Sequence, residues 1–391
     1  PAEFFGLSQL LVEDPDSSLP LALFAVFQLM FACVTTALVA GAAAGRMKFG
    51  AWMLFAGLWA TLVYFPVAHW VFAFSSEDGS VTGGWIANQL GAIDFAGGTA
   101  VHLNAGVAAL ALALVLGRSK GWPHAHGKPH SRPLVLLGAG LLWVGWYGFN
   151  AGSALSAGHS AAVVFLNTAV AAAAGLLGWM LMDRLRLGTS SSLGAASGLI
   201  SALVAITPAC GAVSPLGALA IGLLAGLVCS LAIEWKFRLG YDDSLDVVGV
   251  HAVGGLLGTL LIGLFATDAA PNGVSGLFYG GGFELLGIQA LAAAAVVLGL
   301  AGMQTGTIAL AFGDVLGAVF GQGENRSVKV VQKIRLPRTL TALGVGACLG
   351  AAGATFQSIS RNALGSPDII GFTTGAATGA VAQIVLFAAG P

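Results

Sequence analysis

Apolar runs separated by short polar loops fill most of this chain, and they restrict what it can fold into more than any other feature. A helix of about 20 apolar residues is long enough to cross the hydrocarbon core of a bilayer. Of the 391 residues, 57% are hydrophobic and 8% are charged, whereas soluble domains carry roughly 25% charged residues. The sequence therefore predicts an all-α, polytopic integral membrane protein with multiple passes through the cell membrane, and it excludes a soluble domain.

Nine membrane spans are predicted before a polar stretch, and two more follow it. The nine lie near residues 20–43, 50–74, 95–116, 133–156, 161–182, 191–212, 215–233, 247–267 and 284–313. The two later runs cover 339–356 and 370–390. Basic residues fall in every second loop among the first eight spans, and cytoplasmic loops are enriched in Lys and Arg. This alternation places residue 1 on the outer side.

Several classes of site are disfavoured by what the chain contains. The four cysteines are scattered through apolar runs without a CxxC pair, which argues against a zinc site or a disulfide framework. The net charge of −1 gives no reason to expect nucleic acid as a partner. No nucleophile–base pair or metal set emerges at membrane depth, so neither an enzyme nor a cofactor is expected.

Two histidines lie inside predicted spans, where ionisable groups are costly and usually mark a pathway. His102 follows Asp94 by eight residues, or about 12 Å along a helix axis, and His251 follows Asp246 by five. The two helices run in opposite directions, so both imidazoles can reach a similar depth. A facing pair that shares one hydrogen could exchange protons with a small polar guest. The alternative is that each ring is a core histidine bonded to a backbone carbonyl.

Asp94 stands at the outer start of a span, where a carboxylate is favoured as a helix cap. The cap is the favoured interpretation. Direct ligation of a cation is the sharper alternative, but a carboxylate held by backbone N–H groups more often supports a site electrostatically.

The segment GWYGFNAGS at residues 145–153 combines aromatic and small residues near an outer helix end. Such aromatics commonly form an interfacial belt. Aromatic faces also attract cations, and the Ser153 hydroxyl can accept a hydrogen bond beside them. The segment therefore also fits a vestibule for a small cation.

Two motifs, DFAGGTAVH at 94–102 and DDSLDVVGVH at 242–251, resemble the two signatures of the ammonium transporter (Amt/Rh) family. FQLMFA at 27–32, the 145–153 segment and TPACG at 207–211 follow the family's order. The resemblance covers roughly residues 1–295 and implies a homotrimer in the bilayer with one narrow pore per subunit. It also implies ammonium or ammonia as substrate and a cytoplasmic regulatory protein as a partner. The family begins with two further spans that this sequence lacks, so the domain is expected to be truncated at its N-terminus.

Site roles follow from the resemblance, position by position. Phe31 and Phe149 correspond to a stacked hydrophobic gate, and His102 with His251 to a twin-histidine pair in the pore. Ser153 corresponds to the hydroxyl that recruits ammonium. For the vestibule tryptophan, Trp85 is favoured over Trp70. The supporting residues are Asp94, Trp146 and Asp246.

The tail resembles a different family. RLPRTL at 335–340 and RNALGSPD at 361–368 are similar to an iron-siderophore permease of the ABC type, over roughly 297–391. The sequence therefore predicts an ammonium-transporter-like domain over 1–295 and an apolar helical appendage over 296–391. Their expected orientations conflict, which favours a chimera of two truncated reading frames. The alternative functions are a ferric-siderophore permease subunit and an ammonium sensor.

Overall fold

A computed structural model describes residues 19–76, 79, 81–123 and 130–298, together with Leu7 and Leu10. Within these ranges the chain is helical, and the one β contact is an isolated bridge between Val213 and Ala266. The predicted all-α class is confirmed. The appendage predicted over 296–391 is described only as far as Leu298, and the rest of it lies outside the described residues.

The helices are interrupted by short π-helical turns. In chain order they are α1 (Leu21–Ala43), α2 (Phe49–Trp59), a π turn (Ala60–Tyr64), α3 (Phe65–Phe72), α4 (Trp85–Asn88), a π turn (Gly98–Leu103), α5 (Asn104–Leu116), α6 (Arg132–Gly152), α7 (His159–Leu187), α8 (Ser192–Ile206), α9 (Pro215–Ala232), α10 (Trp235–Leu239), a π turn (Val248–Ala252), α11 (Val253–Phe265), a 3-10 turn (Leu277–Tyr279) and α12 (Glu284–Leu298). The chain divides into two compact units, residues 1–44 with 63–302 and residues 45–62 with 303–391. The candidate site residues discussed below lie in the first unit.

Seven helical segments among the described residues are long and apolar enough to cross a membrane. They are Leu21–Ala43, Phe49–Phe72, Gly98–Leu116, Arg132–Gly152, His159–Leu187, Pro215–Leu239 and Val248–Phe265. The predicted span 191–212 is shorter than expected: α8 has 15 residues and ends at Ile206. The Thr207 hydroxyl turns back to the Leu203 carbonyl, and Pro208 cannot donate a backbone hydrogen bond, so the chain leaves the helix there. The predicted span 284–313 is described only as far as Leu298.

Serine caps start three of these helices. Ser131, Ser191 and Ser214 each accept a hydrogen bond from the backbone N–H three residues later. A hydroxyl at this position satisfies one of the free donors of the first turn. These caps explain why the observed starts of α6, α8 and α9 lie within one residue of the predicted ones.

Helices α7, α8 and α9 pack into the largest buried cluster, which is rich in small side chains such as Ala171, Ala202 and Ala218. Small residues let helices approach closely where lipid gives no hydrophobic drive for association. The π turns Gly98–Leu103 and Val248–Ala252 and helix α11 pack against this bundle, which holds the two histidine-bearing segments in place.

Candidate functional site

The structure brings His102 and His251 together although they are far apart in the sequence. Their Nδ1 atoms are 3.2 Å apart, and the side chains belong to the π turns that precede α5 and α11. Both residues are buried, at 1% and 8% exposure. Only one of two neutral rings can donate in an Nδ1 to Nδ1 contact. The donating ring is left with a bare Nε2, and the accepting ring carries its hydrogen on Nε2.

One of these outer ring nitrogens lacks a partner within the part of the chain that the structure describes. The Nε2 atom of His102 is buried and makes no hydrogen bond to any described residue. An unpaired buried polar atom is costly unless water or a guest satisfies it. The pair therefore offers both a donor and an acceptor to a small polar molecule.

Aromatic rings form a continuous line that leads to the pair. Phe31 and Phe149 are stacked, with ring centres 4.4 Å apart, and Phe149 lies 6.0 Å from His102. Trp146 covers the face of His102 at 5.3 Å with an angle of 17° between the rings. These side chains exclude water from one side of the histidine pair.

The Trp146 indole is fixed by buried hydroxyls. Its Nε1–H donates to Thr207 Oγ1 over 2.9 Å, and the Thr207 hydroxyl donates in turn to the Leu203 carbonyl over 2.7 Å. Asn150 donates to Thr168 Oγ1 over 3.1 Å within the same region. The ring that faces His102 is therefore held in one orientation.

A cavity of about 460 Å³ lies on the far side of Phe31. Most of its lining is apolar and aromatic, and Gln28, Asp94, Ser153 and Asn272 supply polar groups. Ser153 donates its hydroxyl hydrogen to the Phe149 carbonyl over 2.9 Å, which leaves the oxygen lone pairs free to accept from a cation.

Trp85 is not among the described residues that line this cavity. Its indole packs against Trp70, with ring centres 6.3 Å apart, in a cluster with Val67, Val71 and Ile86. The aromatic lining instead includes Phe72 and Phe74. A polar stretch is inserted before Trp85, so the sequence alone did not determine whether this tryptophan lines the cavity.

Asp94 adopts the cap arrangement that its position favoured. Its two oxygens accept hydrogen bonds from the backbone N–H groups of Gly97, Gly98, Thr99 and Ala100 at 2.6–3.2 Å. The Thr99 hydroxyl also donates to it. This carboxylate organises the turn that carries His102 and also borders the cavity.

The histidine turns repeat one local pattern. Asp243 precedes His251 by eight residues, as Asp94 precedes His102, and it accepts the Val248 N–H over 2.7 Å. The third residue after each aspartate has a positive φ, 110° at Gly97 and 60° at Asp246. The capping role of Asp243 was not predicted from the sequence, although the spacing of eight residues between aspartate and histidine is the same in both turns.

Asp246, predicted as a supporting residue, lies in the loop before the His251 turn. Its carboxylate pairs with Lys236 at 2.6 Å and does not cap the His251 turn. Lys236 also donates to the Asp243 carbonyl over 3.1 Å. Asp246 therefore supports the loop before the turn, while Asp243 takes the capping position.

Asp243 predicts a pH dependence of stability. Burial raises the pKa of this carboxyl from 3.8 to about 6, against the opposing effect of the Val248 N–H. Between those values the folded chain keeps a proton that the unfolded chain has lost, so the free energy of unfolding falls as pH rises. Asp243→Asn keeps an acceptor for Val248 but cannot ionise. We expect it to reduce the fall between pH 4.5 and pH 7 by about 2 kcal/mol, out of about 3 kcal/mol for the full shift.

The measurement is the unfolding midpoint of the detergent-solubilised protein at pH 4.5 and pH 7. Asp268→Asn, at an exposed acidic position, is the control. Equal falls in the Asp243 variant and the parent would contradict the assignment.

Close backbone contact joins the two histidine turns. A Cβ on Gly106, four residues after His102, would lie 2.2 Å from the backbone nitrogen of Ala252. A Cβ on Gly255, four residues after His251, would lie 2.9 Å from the backbone nitrogen of Leu103. Only glycine permits these approaches. Gly106 and Gly255 therefore determine how close the His102 and His251 rings can come to each other.

Gly106→Ala is expected to separate the His251 turn from α5 and to lower the unfolding midpoint by about 3 °C or more, because overpacking costs about 1–3 kcal/mol. The midpoint can be followed in detergent. Gly140→Ala, where nothing lies within 4 Å of the added Cβ, is the matched control. Equal midpoints for the two variants would rule out a tight contact at Gly106.

Metal binding is not supported in the part of the chain that the structure describes, where no group of three His, Cys, Asp or Glu side chains could hold an ion. The histidine pair has no third ligand of that kind among those residues.

Comparisons with known proteins identify the family to which this chain is similar. The model of the Ammonium Transporter Family matches residues 2–332, and that of the FecCD transport family matches residues 284–391. The two matches overlap, so the resemblance to ammonium transporters extends beyond residue 295. The stretch 284–332 is rich in Ala, Gly and Leu, a composition that suits the apolar helices of either family.

Individual relatives give the same result. An ammonium transporter of Mycobacterium tuberculosis is 58% identical over 76% of this chain and 67% of its own length. One of Corynebacterium glutamicum is 48% identical over 75% of this chain and 63% of its own length. The crystal structure of Saccharomyces cerevisiae Mep2 is 40% identical, with a TM-score of 0.62 over 72% of this chain and 64% of that one. The solved structure of a protein called "Sensor Amt Protein" is 31% identical, with a TM-score of 0.63 over 71% of this chain and 69% of its own.

The chain spans about two thirds of the length of these relatives. Its family match, the apolar helices and the relatives, which are transporters rather than enzymes, lead to one conclusion. The chain belongs to the Ammonium Transporter Family and is a multi-pass membrane protein.

Proposed function

We propose that this chain carries ammonium across the bilayer through the pathway from the outer cavity to the histidine pair. The cation is recruited by Ser153 and the aromatic lining, passes the Phe31 and Phe149 rings, and gives up a proton beyond them. The observation that carries the proposal is the contact of 3.2 Å between His102 and His251, buried behind this line of rings.

The chemistry of the pathway favours splitting the ion. A bare cation at mid-membrane costs at least about 2.5–3.5 kcal/mol, whereas neutral ammonia has no such charge penalty. The cavity offers a hydroxyl acceptor and aromatic faces, which suit a cation. The histidine pair offers an acceptor nitrogen and shared hydrogens, which suit a proton relay.

The same groups discriminate against potassium. A potassium ion has no hydrogen to donate to an imidazole nitrogen and no proton to release. It would have to cross the apolar region as a charge, at the full cost of desolvation. The proposed mechanism therefore predicts selectivity for ammonium over potassium by chemistry as well as by size.

The test is flux through the full 391-residue chain. We would reconstitute the purified protein in liposomes and measure uptake of radiolabelled methylammonium, with competition by ammonium and by potassium. Uptake that ammonium blocks and potassium does not is the expected result. No uptake above empty liposomes would overturn the proposal. Saturable ammonium binding without uptake would favour a sensor, the role for which the structural neighbour Sensor Amt Protein is named.

Two partners belong to the proposal. We propose a homotrimer in the membrane that binds a cytoplasmic regulatory protein on its inner face. Family membership supports both, and α6 exposes apolar side chains such as Leu137 and Leu141 that a neighbouring subunit or lipid can cover. Native mass spectrometry of the detergent-solubilised chain tests the trimer, and a monomer as the main species would contradict it.

We also propose that the transporter-like part covers residues 1–295 and that residues 296–391 are a fragment of permease type. The change of family would then fall inside the stretch 284–332, which both family models match. The FecCD match to 284–391 supports a change of family in this region. A single long sequencing read through the codons of residues 285–305 tests whether one continuous frame crosses the joint.

A further inference from the structure

Gln289 on α12 is a fully buried polar residue that binds the backbone of a distant segment. Its Oε1 accepts from the Ile93 N–H over 2.8 Å, and its Nε2 donates to the Ile93 carbonyl over 2.7 Å. A longer contact of 3.4 Å reaches the Thr259 carbonyl. The exposure of Gln289 is 0%, and 196 positions separate it from Ile93. The side-chain amide of Gln289 therefore binds both backbone groups of Ile93.

The segment that Gln289 holds has no regular secondary structure. Residues 91–97 form neither helix nor strand, and both Ile93 and Asp94 border the outer cavity. The Phe95 N–H donates to the Pro208 carbonyl over 3.1 Å. The segment is thus fixed at Ile93 by Gln289, at Phe95 by Pro208, and from Gly97 onward by the Asp94 carboxylate.

The chemistry of this position is unusual for its surroundings. Neighbouring side chains of α12 at the same packed surface, Ala292, Ala293 and Val296, are apolar. A buried amide in such a place costs free energy unless all its hydrogen bonds are made. An aliphatic residue would fill the space without that cost. The amide supplies what an aliphatic residue cannot, a fixed direction for the Ile93 backbone.

We propose that Gln289 is a positioning residue for ammonium entry, acting through Ile93 on the Asp94 carboxylate at the mouth of the pathway. This inference rests on the proposed function. Gln289 itself neither borders the cavity nor touches the histidine pair among the described residues. It sets where Asp94 lies relative to Ser153 and the aromatic lining, and so governs how well the cavity holds a cation.

The experiment compares Gln289→Met with a control at the same helix interface. Methionine has a similar length but cannot replace the two amide hydrogen bonds. The substitution therefore removes the bonds to Ile93 and keeps the packing. Thr259→Val is the matched control, because Gln289 contacts only the backbone carbonyl of Thr259. Methylammonium uptake into liposomes is measured as a function of concentration, with each full-length variant quantified in the membrane.

For Gln289→Met we expect the half-saturation concentration to rise about tenfold and the maximum rate to stay within about twofold. Thr259→Val is expected to change neither by more than about twofold. A general loss of packing would lower the amount of active protein and hence the maximum rate. A selective change in half-saturation therefore separates positioning from a merely structural role.

Gln289→Asn is the second variant, since its shorter amide keeps polar capacity and cannot reach both groups of Ile93. An unchanged half-saturation concentration in either variant would overturn the inference. Absence of both from the membrane would also overturn it, because Gln289 would then serve folding alone. If the unmodified chain shows no uptake, that result would instead refute the proposed function.

Discussion

Replacing His102 or His251 with alanine is expected to slow ammonium transport by about a hundredfold or more, the usual contribution of a positioned acid–base group. Each ring contacts the other through Nδ1, so either change removes the shared hydrogen and breaks the relay. The rate is measured as methylammonium uptake into liposomes, corrected for the amount of protein. His159→Ala, at an exposed position at the start of α7, is the matched control and should transport normally.

The double variant sharpens this prediction. Residues that act as one unit give effects that do not add, so His102→Ala with His251→Ala should be little slower than either single variant. Two single variants with the rate and the potassium discrimination of the parent would refute a role for the pair. A double variant slowed by the product of the single effects would show that the rings act independently.

Asp94→Ala is expected to have the largest effect on stability. The change removes the acceptor of four backbone N–H groups and one hydroxyl at the turn that carries His102. Buried donors left without a partner cost about 1–3 kcal/mol each, and partial rearrangement should leave a total loss of about 3–5 kcal/mol. We expect a fall of about 5 °C or more in the unfolding midpoint and loss of uptake.

Asp94→Asn keeps one acceptor oxygen and should lie between the parent and Asp94→Ala. Asp268→Ala, at an exposed position, is the control for removal of an acidic group outside the turn. A midpoint for Asp94→Ala within about 1 °C of the parent would refute the cap, because no rearrangement replaces so many bonds at once.

The general architecture was predictable because it depends on local composition. Length and hydrophobicity alone indicate where a helix can cross a bilayer, and the observed starts of α6 and α9 follow from the caps at Ser131 and Ser214. The span 191–212 was overestimated because hydrophobicity continues through residues 207–213. Backbone bonds and Pro208, not a change in hydrophobicity, end α8 there.

The histidines could be singled out from sequence because an ionisable side chain at bilayer depth is rare. Other parts of the site depend on contacts between distant residues. The orientation of Trp146 depends on Thr207, which lies 61 positions away. Trp85 packs beside Trp70 and is not among the described residues that line the cavity, and this arrangement depends on the contact between the two rings. Hydrophobic patterns do not encode such pairings, so Gln289 looked like one more polar residue in an apolar run.

The amide of Gln289 also has a consequence for the order in which the molecule can be completed. Ile93 enters the membrane region 196 residues before its partner is synthesised, an interval of about 10–40 s at about 5–20 residues per second. Throughout that interval the Ile93 backbone must rely on water or a temporary partner. The mouth of the pathway can therefore reach its final form only after α12 has emerged from the ribosome, which makes insertion of this last described helix the step that completes the entrance.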